Sequence, residues 1–206
     1  MMTKIKICGL TREEDALYCA NAGADFLGFI FVPSTPRYIE PEKAAEIVAR
    51  VRESGKTPQC VGVFRDASGE YISEIASLIG LDLVQLHGTE PDKEIQQAAV
   101  PAIKTLRVGD RLPDTHAAPN AAWLLFDTFD ERRSGGTGRR FDWSLLAGYD
   151  RSKPFFLSGG LTPDNVAAAI SLVRPDAIDI ASGVESEPGK KDHAKLARLF
   201  ERVHRA

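Results

Sequence analysis

The feature that most constrains this chain is an alternation. Eight short apolar runs, at 5–8, 26–31, 60–64, 83–86, 103–106, 123–126, 155–157 and 177–180, are separated by amphipathic stretches. Most of the runs are continuously apolar rather than alternating. Strands covered on both faces look like this, as in a parallel sheet under helices. The stretches between them predict helices over 12–22, 41–52, 68–79, 91–99, 143–146, 165–172 and 191–203. Thr11 is expected to cap the first. Thr162-Pro163-Asp164-Asn165 is expected to open a later one, with the Thr162 hydroxyl as N-cap and Pro163 at the first helical position. The stretch 108–121, rich in Pro, Asp and Asn, predicts a short or irregular fifth crossover.

Eight βα units in 206 residues fit either a closed barrel or an open doubly wound sheet. The open sheet usually carries its phosphate loop after the first strand, as GxGxxG or GxxxxGK. Cys8-Gly9-Leu10-Thr11-Arg12 is neither, and the glycine pairs come instead after the seventh and eighth runs, where barrels bind phosphate. The expectation is therefore an α/β chain, a single-domain (β/α)8 TIM barrel spanning residues 1–206. Composition narrows the function classes. With 26 basic and 29 acidic residues the net charge is −3, without the basic face that nucleic-acid binding needs. Three cysteines, Cys8, Cys19 and Cys60, without CxxC spacing argue against a disulfide framework or a structural zinc site. No apolar run approaches the roughly 18 residues that span a bilayer, and strand-like residues begin too early for a signal peptide. A cytoplasmic protein is expected, with no membrane partner, no nucleic acid and no metal.

Two groups of residues carry candidate chemistry. Gly159 and Gly160 follow the seventh run, and Ala181, Ser182 and Gly183 follow the eighth. Glycines let backbone approach an anion, and successive N–H groups beside a helix N-terminus supply donors, so a phosphate end is expected here. Cys8 and Asp127 each stand at the exit of an apolar strand. Parallel strands bring both to one rim, as a thiol and an acid suited to proton transfer. Taken alone, a cysteine there is a small buried hydrophobe. Arg37, on the loop after the second run, is either a surface charge or a fork for a substrate carboxylate. Gln85 and His87 share one face of the fourth strand, either as hydrogen-bonding groups of the core or rim or as substrate-binding residues. Asp179, inside an apolar strand, must point into the barrel mouth and meet a polar group. Ser134-Gly135-Gly136-Thr137-Gly138-Arg139-Arg140 reads either as a solvated loop or as a lid.

Taken together, Lys6-Ile7-Cys8-Gly9-Leu10, residues 34–39, Val84-Gln85-Leu86-His87-Gly88, Phe126-Asp127, 135–143, 157–166 and 179–191 resemble the phosphoribosylanthranilate isomerase family of tryptophan biosynthesis. The resemblance covers nearly the whole chain. It implies a cofactor-free Amadori rearrangement of a phosphosugar by a monomer or homodimer. By the same resemblance, Asp127 is the general acid and Cys8 the general base. Arg37 would grip the anthranilate carboxylate, Asp179 would touch the sugar or its amine, and the two glycine loops would hold the phosphate. Two departures stand out. Ala181-Ser182 occupies a place where many relatives carry two serines, and Arg65-Asp66 follows the third strand where uncharged residues are expected. The nearest alternatives are the histidine-pathway sugar isomerase, which carries an aspartate at the position of Cys8, and a catalytically silent phosphosugar-binding barrel.

Overall fold

A computed structural model gives the fold of residues 2–128 and 141–206. The apolar runs become β1 (Lys4–Cys8), β2 (Phe26–Ile30), β3 (Gln59–Phe64), β4 (Leu83–Leu86), β5 (Ala102–Val108), β6 (Trp123–Thr128), β7 (Phe155–Leu157) and β8 (Ala177–Ile180). They pair in chain order, all parallel, and β8 returns to β1 to close a barrel. Around it lie α1 (Glu13–Ala22), α2 (Pro41–Glu53), α3 (Gly69–Ile79), α4 (Asp92–Gln97), α5 (Val166–Val173) and α6 (His193–His204). Two crossovers depart from the ideal. No helix joins β5 to β6, as the Pro, Asp and Asn content predicts, and a 3-10 turn over Trp143–Gly148 precedes β7. Beyond β8 a small hairpin, β9 (Glu185–Glu187) with β10 (Lys190–Lys191), leads into α6.

Period two sorts each strand into two cores. Residues such as Ile5, Ile7, Leu27, Phe29, Leu124 and Phe126 are buried in the large cluster that includes the helices. Phe26, Val61, Leu83, Ile103, Leu125, Phe156 and Ala177 form a second cluster that plugs the barrel's foot. Further along the same inward-facing series the residues turn polar: Lys6 and Cys8 on β1, Gln85 on β4, Thr105 on β5, Asp127 on β6 and Asp179 on β8. An apolar plug below and polar side chains above leave the mouth as the place for chemistry.

Three acids fasten the foot. Asp25, just before β2, accepts the amide of Ile5 at 2.8 Å; Asp82, before β4, accepts that of Cys60 at 2.7 Å; Asp176, before β8, accepts that of Phe155 at 3.0 Å. In each case the carboxylate satisfies an N–H at the start of the preceding strand, that of the second residue in β1 and β3 and of the first in β7.

Two expected caps fall elsewhere. Thr11 does not cap α1: its hydroxyl donates to the Gly189 carbonyl at 2.6 Å, and the N-cap position is Arg12, without a side-chain bond. Glu13, Glu14 and Asp15 in the first turn face the helix's positive pole instead. The α5 helix starts at Val166, so Pro163 precedes it. The amides of Asn165 and Val166 donate to the Thr162 carbonyl, while Asn165 Oδ1 accepts from the Thr162 amide. The turn therefore closes on itself before the helix begins, and the Thr162 hydroxyl caps only the amide of Asp164. Among the described residues no helix is long and apolar enough to cross a membrane.

Candidate active site

The mouth of the barrel holds a cavity of about 440 Å³. Every site residue singled out in the sequence lines it: Cys8, Arg37, Gln85, His87, Asp127, Gly159, Gly160, Asp179, Ala181, Ser182 and Gly183. The glycine-rich segment 134–140 lies outside the described residues.

The proton-transfer end is built from inward-facing strand ends. Cys8 and Asp127 stand on β1 and β6, three strands apart round the closed sheet. Burial pushes the Asp127 carboxyl up to about 6, against the Thr128 amide that donates to Oδ1 at 2.8 Å. Burial likewise drives His87 down to about 4, with Arg107 adding to the effect, so its ring is neutral at pH 7. Gln85 Nε2 donates to His87 Nδ1 at 3.2 Å and to Thr105 Oγ1 at 3.3 Å. That bond leaves the ring proton on Nε2, 3.5 Å from Asp127 Oδ2. The Gln85 amide nitrogen thus orients His87, which faces the acid, while Gln85 Oε1 is buried without a partner among the described residues. Burial also pushes the Cys8 thiol up, and Lys6 beside it pulls the other way.

Arg37 reaches the cavity from the loop after β2 and is not a free surface charge. Its Nε donates to Glu185 Oε1 at 2.9 Å and its Nη2 to Oε2 at 2.6 Å, a fork-to-fork pair in which Glu185 is almost fully buried. Among the described residues Nη1 has no hydrogen-bond partner. The carboxylate of Glu185, with a smaller contribution from Cys8, holds the guanidinium above its already high ordinary value against the opposing effect of burial. Charge at this end of the cavity is thus permanent.

The phosphate end is made of backbone. Gly159 and Gly160 take φ of 88° and 66°, and among the described residues their N–H groups meet no acceptor. Asn165 Nδ2 donates to the Gly160 carbonyl at 2.9 Å, tying the loop to the start of α5. Opposite, Ser182 and Gly183 open a short 3-10 turn, whose first N–H groups have no acceptor within it. The two loops touch. A Cβ built on Gly183 would lie 1.9 Å from the Leu161 carbonyl oxygen, which no side chain tolerates. Glycine here is a requirement of loop-on-loop contact, not of turn geometry alone.

Four further residues belong to the site, and none had been singled out for a role in the sequence. Lys6, wholly buried, donates to Asp179 at 2.8 Å, so Asp179 meets the polar group that its burial demanded. Lys191, equally buried, donates to the carbonyls of Cys8 and Ala181 at 2.6 and 3.2 Å and to Glu185 at 2.9 Å. It joins the exit of β1 to the phosphate loop, and through Glu185 to Arg37. Ser158 lines the cavity and donates to the Asp179 carbonyl at 3.3 Å. Arg65 lines it too, placing a charge on the loop after β3. The signal for Lys6 was present: a lysine two residues from Cys8, inside an apolar strand, shares its face. His193 is structural, bonded to Asp15 at 2.7 Å and stacked on Tyr18. Cys8, Cys19 and Cys60 are all free thiols.

Comparison with known proteins points to one family. Residues 5–202 match the family described as N-(5'-phosphoribosyl)anthranilate (PRA) isomerase. The N-(5'-phosphoribosyl)anthranilate isomerase of Geobacter sp. (strain M21) is 46% identical over 202 residues, covering 96% of each chain. Monomers generated from the dimeric phosphoribosylanthranilate isomerase of Thermotoga maritima superpose with a TM-score of 0.86 at 39% identity, each chain covered in full. A phosphoribosyl anthranilate isomerase in complex with reduced 1-(o-carboxyphenylamino)-1-deoxyribulose 5-phosphate gives 0.85 at 40% identity, again over both complete chains.

Proposed function

The chain belongs to the N-(5'-phosphoribosyl)anthranilate isomerase family, isomerases of tryptophan biosynthesis, and we propose that it carries out the rearrangement with Asp127 as general acid and Cys8 as general base. Asp127 protonates the ribose ring oxygen, and the ring opens to a Schiff base. Cys8 as thiolate removes the C2′ proton, giving an enolamine that tautomerises to the aminoketone. The observation that carries this reading is the opposed placement of the two groups on β1 and β6, with Asp127 raised to about 6. A carboxyl with that value keeps about one molecule in ten protonated at pH 7, against about one in a thousand for an ordinary aspartate. His87, neutral, donates toward the carboxylate that remains after transfer.

The substrate's own charges fit the two ends of the cavity. Its phosphate lies against the N–H groups of Gly159, Gly160, Ser182 and Gly183, with the Ser182 hydroxyl in reach and Ala181 contributing backbone only. Its carboxylate takes the open edge of Arg37. Asp179 faces the amine side of the sugar, and His87 borders the ribose with Gln85 behind it. No step needs a cofactor, because every proton moved has a named donor or acceptor. The relative in complex with the reduced product analogue, a 5-phosphate bearing a carboxyphenylamino group, has the two anionic ends that this division of the cavity requires. As a monomer or within a homodimer, each chain carries these lining residues itself. The reading also places the enzyme in the cytoplasm, where reduced thiols persist.

Loss of phosphoribosylanthranilate fluorescence tests the reading directly. The wild-type chain should consume the substrate, and Cys8→Ala should fold normally but turn over at least about a hundredfold more slowly, the scale for removing a general base. Near-normal turnover by that variant would remove Cys8 from the mechanism.

A further inference from the structure

The buried lysine on β1 is unaccounted for by either end of the cavity. Lys6 is 0% exposed, lies two residues before Cys8, and faces the same side of the strand. A buried ammonium is costly unless paired, and paired ammonium–carboxylate contacts of this depth contribute little net stability compared with apolar packing. Toward the foot the other seven strands fill the interior with apolar side chains, and the remaining lysine on this face of β1, Lys4, is exposed. The pair therefore asks for a chemical role.

Its surroundings supply one. Asp179 Oδ1 accepts from Lys6 Nζ at 2.8 Å and fixes the ammonium on the side of β8. On the other side lies Gly28 of β2, paired with Cys8 in register. A Cβ built on Gly28 would stand 2.9 Å from Cys8 Sγ and 3.2 Å from Lys6 Nζ. The bare backbone of Gly28 thus makes one pocket that holds both the thiol and the ammonium. We propose that Lys6 is a positioning residue for the reaction, its ammonium held by Asp179 so as to stabilise the Cys8 thiolate in the pocket that Gly28 leaves open. The proposal rests on the reading of Cys8 as base and adds what makes that base available.

The arrangement balances three charges. Deprotonation of Cys8 places an anion beside Lys6 and near Asp179, and the cation carries both. Burial works against a charged lysine, yet Asp179 and Cys8 hold its pKa above the ordinary value, so the ammonium does not surrender its proton to the thiolate. Other charged groups facing Cys8 are Arg37 from the loop after β2 and Lys191 from β10, both already engaged by Glu185, with Asp127 across the mouth on β6. Lys191 meets the Cys8 carbonyl, not its sulfur. Lys6 is therefore the cation that shares the thiol's own pocket.

The test reads the thiol itself. Alkylation of Cys8 by iodoacetamide, followed across pH by mass spectrometry of its peptide, gives a midpoint for thiolate formation. Cys19 and Cys60, both pushed up to about 12 by burial, serve as slow internal controls. Lys6→Met should raise the Cys8 midpoint by about one unit or more, the scale for losing an opposite charge at this range. Asp179→Asn should lower it, because a like charge is removed. Turnover of Lys6→Met should fall about tenfold for each unit that the midpoint rises, at unchanged KM. The double variant Lys6→Met/Asp179→Asn buries no lone charge. If the single lysine variant fails to fold, the double must still show a higher midpoint than Asp179→Asn alone. An unmoved midpoint in that comparison, or a raised midpoint with turnover unaltered, overturns the proposal. Neither result touches the assignment of Cys8 as base, which stands or falls separately on Cys8→Ala.

Discussion

Aspartate is used in opposite ways at the two ends of this barrel. At the foot, Asp25, Asp82 and Asp176 precede strands, stay exposed, and each accepts a backbone amide of the neighbouring strand. At the mouth, Asp127 and Asp179 sit at or near strand ends, lie largely buried, and face side chains across the interior. The foot acids keep water on one side and satisfy a donor, so they hold the fold at little cost. The mouth acids give up water for fixed partners, which shifts their protonation and makes them reactive. One residue type thus means structure or chemistry according to which end of a parallel strand it stands on.

The comparison breaks first, and most visibly, on turnover. Asp127→Ala should lower kcat at least about a hundredfold with the fold intact by circular dichroism, the scale for a lost general acid. Asp82→Ala should leave kcat and KM unaltered. A foot variant with lost turnover, or a mouth variant without it, would collapse the distinction.

A smaller effect separates side-chain chemistry from backbone binding within the mouth. Gly183→Ala forces its methyl against the Leu161 carbonyl and pushes the two phosphate loops apart. Substrate KM should rise at least about tenfold while kcat at saturation falls less, since phosphate contacts are made in both ground and transition states. Arg37→Ala should likewise act through KM, by about tenfold, for the loss of one charge-assisted contact to a carboxylate. Both are read from Michaelis–Menten curves. A pure kcat loss in either would move that residue into the proton-transfer machinery.

The difference between the ends also explains what the sequence made legible. The eight strands were evident because burial on both faces makes each a continuous apolar run. The phosphate loops were evident because close backbone contact demands glycine. Cys8, Asp127 and Asp179 drew attention as polar residues beside or within those runs. For Lys6 the strand pattern gives the face, shared with Cys8, but not the partner that holds it there; Asp179 lies 173 residues away. Lys191 and Glu185 were missed for the same reason. Glu185 binds Arg37 from 148 residues off, and only barrel closure brings them together. The expected cap at Thr11 gave way to a tertiary bond to Gly189, which local preference does not register. The foot acids carried a repeated signal, an Asp directly before β2, β4 and β8, but its meaning depends on a neighbouring strand.

The smallest effect is on stability, and its sign differs between the ends. Asp127 in the folded chain titrates at about 6, above the 3.8 of an unperturbed carboxyl, chiefly through burial. Between those values the folded state binds more protons than the unfolded one, so stability falls as pH rises from about 4 to about 6. Above pH 6 the full cost of the ionised, buried carboxylate is present, at most about 3 kcal/mol. Asp127→Asn removes that cost and keeps an acceptor for the Thr128 amide. The variant should therefore exceed wild type by about 1–2 kcal/mol in urea denaturation at pH 7 and by little at pH 4. His87, held neutral down to about 4, works with the opposite sign, its contribution lost as pH falls from 6.5 towards 4. Because His87 is present in both proteins, taking variant minus wild type at each pH removes most of it. Asp82→Asn weakens a charge-assisted bond to the Cys60 amide and should instead cost about 0.5–1 kcal/mol at pH 7. Neutralising an acid would then stabilise the mouth and destabilise the foot. Destabilisation by both variants at pH 7 would mean that Asp127 is held as favourably as the structural acids, leaving it no raised pKa with which to act as an acid.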